Sequence, residues 1–202
     1  MHWRLESKDV PSENCKNEIF LKDPSFLESI ENNIYFYSEI ERSKILQLNR
    51  RIRELNKELS LKKTQLSLKE NIPIFLFVNS FGGSVFDGFS SMDCILSSEL
   101  PVTTVVDGCC ASAATFLTIV GKERLITKHS FMLIHQITSF CWGKFSEFKD
   151  ELENLTNIMT MVKEIYKQYT KLPEEEIDKI LKHDLWLNSE KCLEYGLVDR
   201  II

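Results

Sequence analysis

Ser112 lies in the stretch Asp107–Gly121 (DGCCASAATFLTIVG), where residue types suited to nucleophilic chemistry are concentrated. A β-branched run, Val102–Val106, precedes it and reads as a buried strand. Gly108 is expected to break that strand, and Ala111, Ser112, Ala113 and Ala114 to open a helix. A serine at such a junction sits among the free N–H groups of a helix start, and small neighbours let a substrate approach closely. This is one way to place a nucleophile beside ready-made oxyanion donors. The plainer alternative is an N-capping serine in a small-residue packing helix. Cys109 and Cys110 are competing nucleophiles, because a thiolate also gains from a helix N-terminus. A second group of interest is the glycine turn Asn79-Ser80-Phe81-Gly82-Gly83-Ser84. Adjacent glycines after a strand permit a backbone with exposed N–H groups. A phosphate-binding loop would need a lysine and longer spacing that this turn lacks.

The elements that must position these groups alternate between strand and helix, which makes an α/β fold. Ile72–Val78 is continuously apolar and is placed centrally in a parallel sheet, with a helix following to about Ser98. Arg124–Ile126 and Phe131–Ile134 read as short strands, the second ending at His135. Ile45, Leu48, Ile52, Leu55 and Leu59 alternate spacings of three and four within Glu39–Lys69, the stripe of an amphipathic helix. That helix packs on the sheet or projects as an arm toward another subunit. Ser146–Lys171 carries a second stripe through Phe148, Leu152, Leu155, Met159, Val162 and Tyr166. Glu174–Lys182 and Ser189–Tyr195 are short helices around Asp184-Leu185-Trp186-Leu187; Gly196 caps the latter, and Leu197–Ile202 closes the sheet. Toward the N-terminus, Ile19–Ile30 is expected as a short helix, Asn32–Asn33 as a turn and Ile34–Tyr37 as a strand. Residues 1–33 read as a partly ordered arm and residues 34–202 as one domain.

A net charge of −5 and a pI near 5.5 argue against nucleic acid as a main partner. No apolar run approaches membrane-spanning length, and the first residues lack the apolar core of a signal peptide. The six cysteines show no CxxC spacing, so they read as reduced, buried small hydrophobes of a cytoplasmic protein, and neither a metal site nor any cofactor is expected.

Three motifs in fixed order, FVNSFGGSV, GCCASAATFL and MLIHQ, are followed by HDLWLNSEKCLEYGLVD. Together they resemble the proteolytic subunit of the Clp protease, a ClpP-like serine peptidase of crotonase-like fold, from about Ile34 to Ile202. The resemblance implies Ser112 as nucleophile, His135 as general base and Asp184 as the acid that orients it. It also implies an oxyanion hole from the N–H groups of Gly82 and Ala113. The chemistry needs these types: a serine hydroxyl needs a neutral imidazole to take its proton, and the imidazole needs a carboxylate to fix its tautomer. A long helical handle segment, heptameric rings with or without pairing into a tetradecamer, unfolded polypeptide substrates and a separate AAA+ unfoldase follow from the same resemblance. Phe81 stands where the family has proline, Ile137–Phe140 lacks the family's proline and paired glycines, and His183 replaces an arginine. These departures imply ring stacking that is looser or pH-sensitive. Other readings are a phage-type head maturation protease, a non-catalytic ring paralogue, and an acyl-CoA hydratase or isomerase of the same fold class. The last needs acidic residues where Ser112 and His135 stand.

Overall fold

The structure, a computed structural model, describes residues 27–202. Its centre is β4 (Val102–Ala111), whose first five residues are buried on both faces. Strand β3 (Ile74–Ser80) pairs parallel with β4 on one side and with β2 (Asn33–Tyr37) on the other. Strands β5 (Glu123–Ile126) and β8 (Arg200–Ile201) extend the parallel sheet beyond β4, and β1 (Leu27–Ile30) adds an antiparallel edge to β2. The part of the expected helix Ile19–Ile30 that lies within the described residues is therefore a strand. Glu31, at φ +55, makes a two-residue turn that lets Leu27–Ile30 pair with β2. The remainder of that expectation lies outside the described residues, as does most of the expected arm.

Helix α1 (Arg42–Gln65) packs on the sheet and does not project. Ile45, Leu48, Ile52, Leu55 and Leu59 are all buried in one cluster with Ile34, Phe36, Ile74, Leu76 and Val78. Burying each of these side chains is worth roughly 1.5–3 kcal/mol, which accounts for the stripe. Helix α2 (Val85–Leu96) lies beside α1 and starts at Ser84, whose hydroxyl accepts from the Asp87 N–H at 3.3 Å. In β3 the apolar run is less buried than its continuity suggests. Ile74, Leu76 and Val78 face the helices, while Phe75 and Phe77 are half-exposed on the other face, where Tyr35 stacks on Phe77 at 4.7 Å.

Gly108 does not end β4. At φ +94 it bends the strand, and its N–H donates to Ser130 Oγ at 2.6 Å. Before the bend β4 pairs with β5; after it, Cys109–Ala111 pair with β6 (Phe131–Leu133). Strand β7 (Trp186–Asn188) pairs antiparallel with β6. The element after β4 is short, a 3-10 turn over Ser112–Ala114 and then α3 (Thr115–Ile119). So brief a helix contributes little macrodipole.

Helix α4 (Phe145–Tyr169) is buried only toward its C-terminal end, at Val162, Ile165 and Tyr166. Its first turns extend the apolar stripe into solvent: Phe145, Phe148 and Leu152 are exposed. Helix α5 (Glu174–Ile180) and α6 (Ser189–Glu194) complete the fold, and Gly196 at φ +66 closes α6. No helix of the described residues is long and apolar enough to cross a membrane.

Candidate active site

Ser112 stands where β4 ends, with φ +54, a left-handed backbone that a non-glycine residue holds only under constraint. The constraint is visible in the packing. A Cβ on Gly82 would lie 2.7 Å from both Ala111 O and Ser112 Cβ, so only glycine lets the turn press this closely on the serine. The turn is itself pinned from outside. The Ile40 N–H donates to Gly82 O at 2.7 Å, and the Ser84 N–H donates to Ile40 O at 2.8 Å.

Strand pairing brings in the other two groups. Leu133 lies opposite Ala111 in the parallel β4–β6 pair, so the chain after β6 runs beside Ser112. Leu133 also lies opposite Trp186 in the antiparallel β6–β7 pair. Continuing that register two residues places His135 opposite Asp184. The His135 Nδ1 to Asp184 Oδ1 distance is 3.8 Å, longer than a hydrogen bond. The Asp184 side chain is 82% exposed, against 22% for His135. With Nδ1 facing the carboxylate, Nε2 is the ring nitrogen left for the serine. Ser112, Ala113, His135 and Gly83 line one cleft of about 290 Å³. Its remaining wall mixes apolar side chains, among them Phe86, Phe116, Ile137, Val162 and Tyr166, with polar Ser84, Gln136 and Thr138.

The two glycines of the turn have different environments. The Gly82 N–H, expected as an oxyanion donor, donates instead to Ser80 Oγ at 3.1 Å, and Gly82 is not among the residues lining the cleft. Gly83 is, and its own φ of +144 is held by the close approach of Ile40, whose O would sit 2.4 Å from a Cβ there. The cysteines are poorly placed for chemistry. Burial pushes the Cys110 thiol up to about 12 and also raises Cys109, which donates to Asn79 Oδ1 at 3.3 Å. Neither lines the cleft.

Three further residues support the site without having been signalled as part of it by the sequence. Phe81 packs edge-on against Trp186 at 6.1 Å, joining the glycine turn to the first residue of β7, two residues after Asp184. Tyr166 and Thr115, from α4 and the start of α3, meet directly behind Ser112. Spacing would have flagged only the Tyr166 position, as part of an apolar stripe.

A serine at the end of β4, an imidazole two residues beyond β6 and a carboxylate facing that imidazole are the residue types that serine hydrolases bring together. Comparison with known proteins narrows the class. The family model described as Clp protease matches residues 28–202, nearly all the described chain. The chain is 34% identical over 155 residues to the ATP-dependent Clp protease proteolytic subunit 2 of Treponema denticola, covering 73% of this chain and 78% of that one. It is 30% identical over 172 residues to the ATP-dependent Clp protease proteolytic subunit of Oltmannsiellopsis viridis, covering 82% and 87%. Among solved structures, a mutant of ClpP1 from Listeria monocytogenes shares the fold, with a TM-score of 0.73 at 23% identity over 85% of this chain and 91% of that one. The chain belongs to the Clp protease family, and by that membership it is a serine-type peptidase with the ClpP-type fold.

Proposed function

We propose that this chain is a proteolytic subunit that cleaves unfolded polypeptides through an acyl-enzyme on Ser112. The observation that carries the reading is the convergence of Ser112 and His135 on one cleft with Asp184 set against His135 Nδ1. Ser112 Oγ attacks the scissile carbonyl while His135 Nε2 takes its proton, and the imidazolium that forms is stabilised by Asp184. The oxyanion is received by the N–H groups of Gly83 and Ala113, each worth on the order of 3 kcal/mol in the transition state. His135 then protonates the leaving amine, and water releases the acyl group by the reverse sequence. The apolar part of the wall takes an apolar side chain next to the cut bond, whose full burial contributes roughly 1.5–3 kcal/mol.

The exposed apolar surface supports an oligomer, and we place its sites in an enclosed chamber. Phe140 and Trp142 are 88% and 89% exposed, directly before the exposed first turns of α4. A patch of this kind marks an interface, and rings are the ordinary closed solution for head-to-tail contacts between identical subunits. A separate AAA+ unfoldase supplies unfolded chains. The test is labelling with a serine-directed fluorophosphonate, followed by hydrolysis of a small fluorogenic peptide. Ser112 should carry the label, and Ser112→Ala should fold normally yet lose both label and hydrolysis. Hydrolysis retained by purified Ser112→Ala would end the assignment.

A further inference from the structure

Behind the cleft lies a hydrogen-bonded pair that a nucleophile, base and acid do not require. Thr115 Oγ1 is 2.6 Å from the Ser112 carbonyl oxygen and 2.6 Å from Tyr166 Oη. The directions follow from counting protons. A carbonyl only accepts, so the single hydroxyl proton of Thr115 goes to Ser112 O, and the Tyr166 O–H must donate to Thr115 Oγ1. The Thr115 backbone N–H also donates to Ser112 O, so both lone pairs of that carbonyl are occupied. Thr115 is fully buried and Tyr166 is 1% exposed. Burial also raises the Tyr166 phenol well above its ordinary value, so it remains a donor across the working pH range.

The Ser112 carbonyl and the Ala113 N–H belong to one planar peptide unit and point in opposite directions. Fixing the carbonyl therefore aims the N–H. We propose that Thr115 and Tyr166 are positioning residues that aim the Ala113 N–H at the oxyanion; this rests on the acyl-enzyme reading of Ser112 above. A threonine bonding back to a carbonyl three residues earlier is common in helices and need do nothing more. Here the carbonyl belongs to the residue at φ +54, and a second hydroxyl from 51 residues away on α4 holds the threonine in place. Chains of such bonds polarise one another, so the loaded carbonyl also makes its peptide N–H a stronger donor. Because the oxyanion exists only in the transition state, this contribution belongs to kcat and not to KM.

Thr115→Val keeps the shape and removes the hydroxyl. It should lower kcat for a fluorogenic peptide by about ten-fold with KM unchanged, a part of the loss expected for a missing oxyanion donor. A peptide boronate, whose tetrahedral adduct places an oxygen in the same hole, should bind more weakly by the same factor. Thr115→Ser should restore both values to within about two-fold of the unaltered protein, and Tyr166→Phe should show a smaller kcat loss. Thr115→Val leaves the Tyr166 hydroxyl buried without a partner and so is less stable. The double variant Thr115→Val/Tyr166→Phe removes both groups; it should recover stability while kcat stays low. If kcat recovers with stability, the pair is merely structural and the proposal fails. It also fails if Thr115→Val keeps kcat, or if Thr115→Ser does not rescue. Fluorophosphonate labelling of the unaltered protein separates the levels. Absence of label on Ser112 overturns the acyl-enzyme reading and this inference together, whereas normal labelling with an unaffected Thr115→Val overturns this inference alone.

Discussion

Replacing Gly82 with alanine probes how tightly the glycine turn confines the nucleophile. The new Cβ would lie 2.7 Å from Ser112 Cβ and 2.7 Å from Ala111 O. Non-bonded carbons settle about 3.5–4.0 Å apart, so the serine and the turn must separate by about 1 Å. Neither neighbour is the free end of a flexible side chain, and the turn cannot retreat, because Ile40 holds Gly82 O and the Ser84 N–H from the other side. The displacement therefore falls on Ser112. A misplacement of about 1 Å at a reacting atom costs about a hundred-fold in rate. Alanine at φ +98 adds backbone strain of about 1–3 kcal/mol, visible as a lower urea midpoint. Gly196→Ala is the control. It also has a positive φ, but the nearest atoms its Cβ would meet are Lys171 side-chain carbons, and neither residue lines the cleft. It should lose about 1–2 kcal/mol of stability with little change in rate. The assay is fluorogenic peptide hydrolysis beside urea unfolding for both variants. A folded Gly82→Ala that hydrolyses peptide within about two-fold of the unaltered protein would refute the packing argument.

Asp184→Asn should leave the fold intact, since the side chain is exposed, while the rate falls by orders of magnitude, toward the roughly 10⁴-fold seen when such an acid loses its charge; near-normal turnover would remove Asp184 from the site. Cys109→Ala and Cys110→Ala should both keep activity, because their thiols are raised by burial and lie outside the cleft, and inactivation with Ser112 still unlabelled would transfer the chemistry to sulfur. Phe140→Ser/Trp142→Ser should lower the molar mass seen by light scattering, and an unchanged mass would place the interface elsewhere. The Arg124 guanidinium, chiefly by hydrogen bonding, holds the Asp199 carboxyl below its ordinary value. That pair therefore adds stability above the ordinary carboxylate range, and the contribution fades as pH falls through the lowered folded value. Asp199→Asn should cost about 1 kcal/mol at neutral pH, limited by the exposure of the carboxylate, and urea curves of the two proteins should converge as pH falls below the ordinary carboxylate range and through the lowered folded value. A gap that persists in acid would mean that the loss is packing and not charge.

The elements whose partners are local or periodic were legible in the chain. The three-four stripe of α1 and the β-branched start of β4 both appear where their patterns place them. What the chain alone concealed was decided between distant residues. A glycine at 108 looks the same whether it ends a strand or bends it; the bend exists because β4 changes partner from β5 to β6. The apolar stripe of α4 does not say that only its last turns meet this subunit's own core. Gly82 and Gly83 are equivalent as letters; the fold distinguishes them, with the Ser80 hydroxyl occupying the Gly82 N–H and Gly83 alone lining the cleft. His135 and Asp184 stood out through motif resemblance, yet their meeting is a matter of register between β6 and β7. Leu27–Ile30 were misread as helical because a four-residue edge strand has too short a pattern to outweigh neighbouring apolar spacing.

Helix α4 joins two regions with very different tolerances. Its 25 residues form a rod about 37 Å long, with Phe145 at the free end and Tyr166 near the buried one. Because the rod is gripped near Tyr166, a tilt of about 5° sweeps the free end through about 3 Å, while the phenol hydroxyl, close to the pivot, moves by only a few tenths of an ångström. The helix thus acts as a reducing lever. In the proposed oligomer, a neighbouring subunit settles against Phe145 and Phe148 over a range of about 3 Å, and the geometry behind Ser112 stays within hydrogen-bond tolerance.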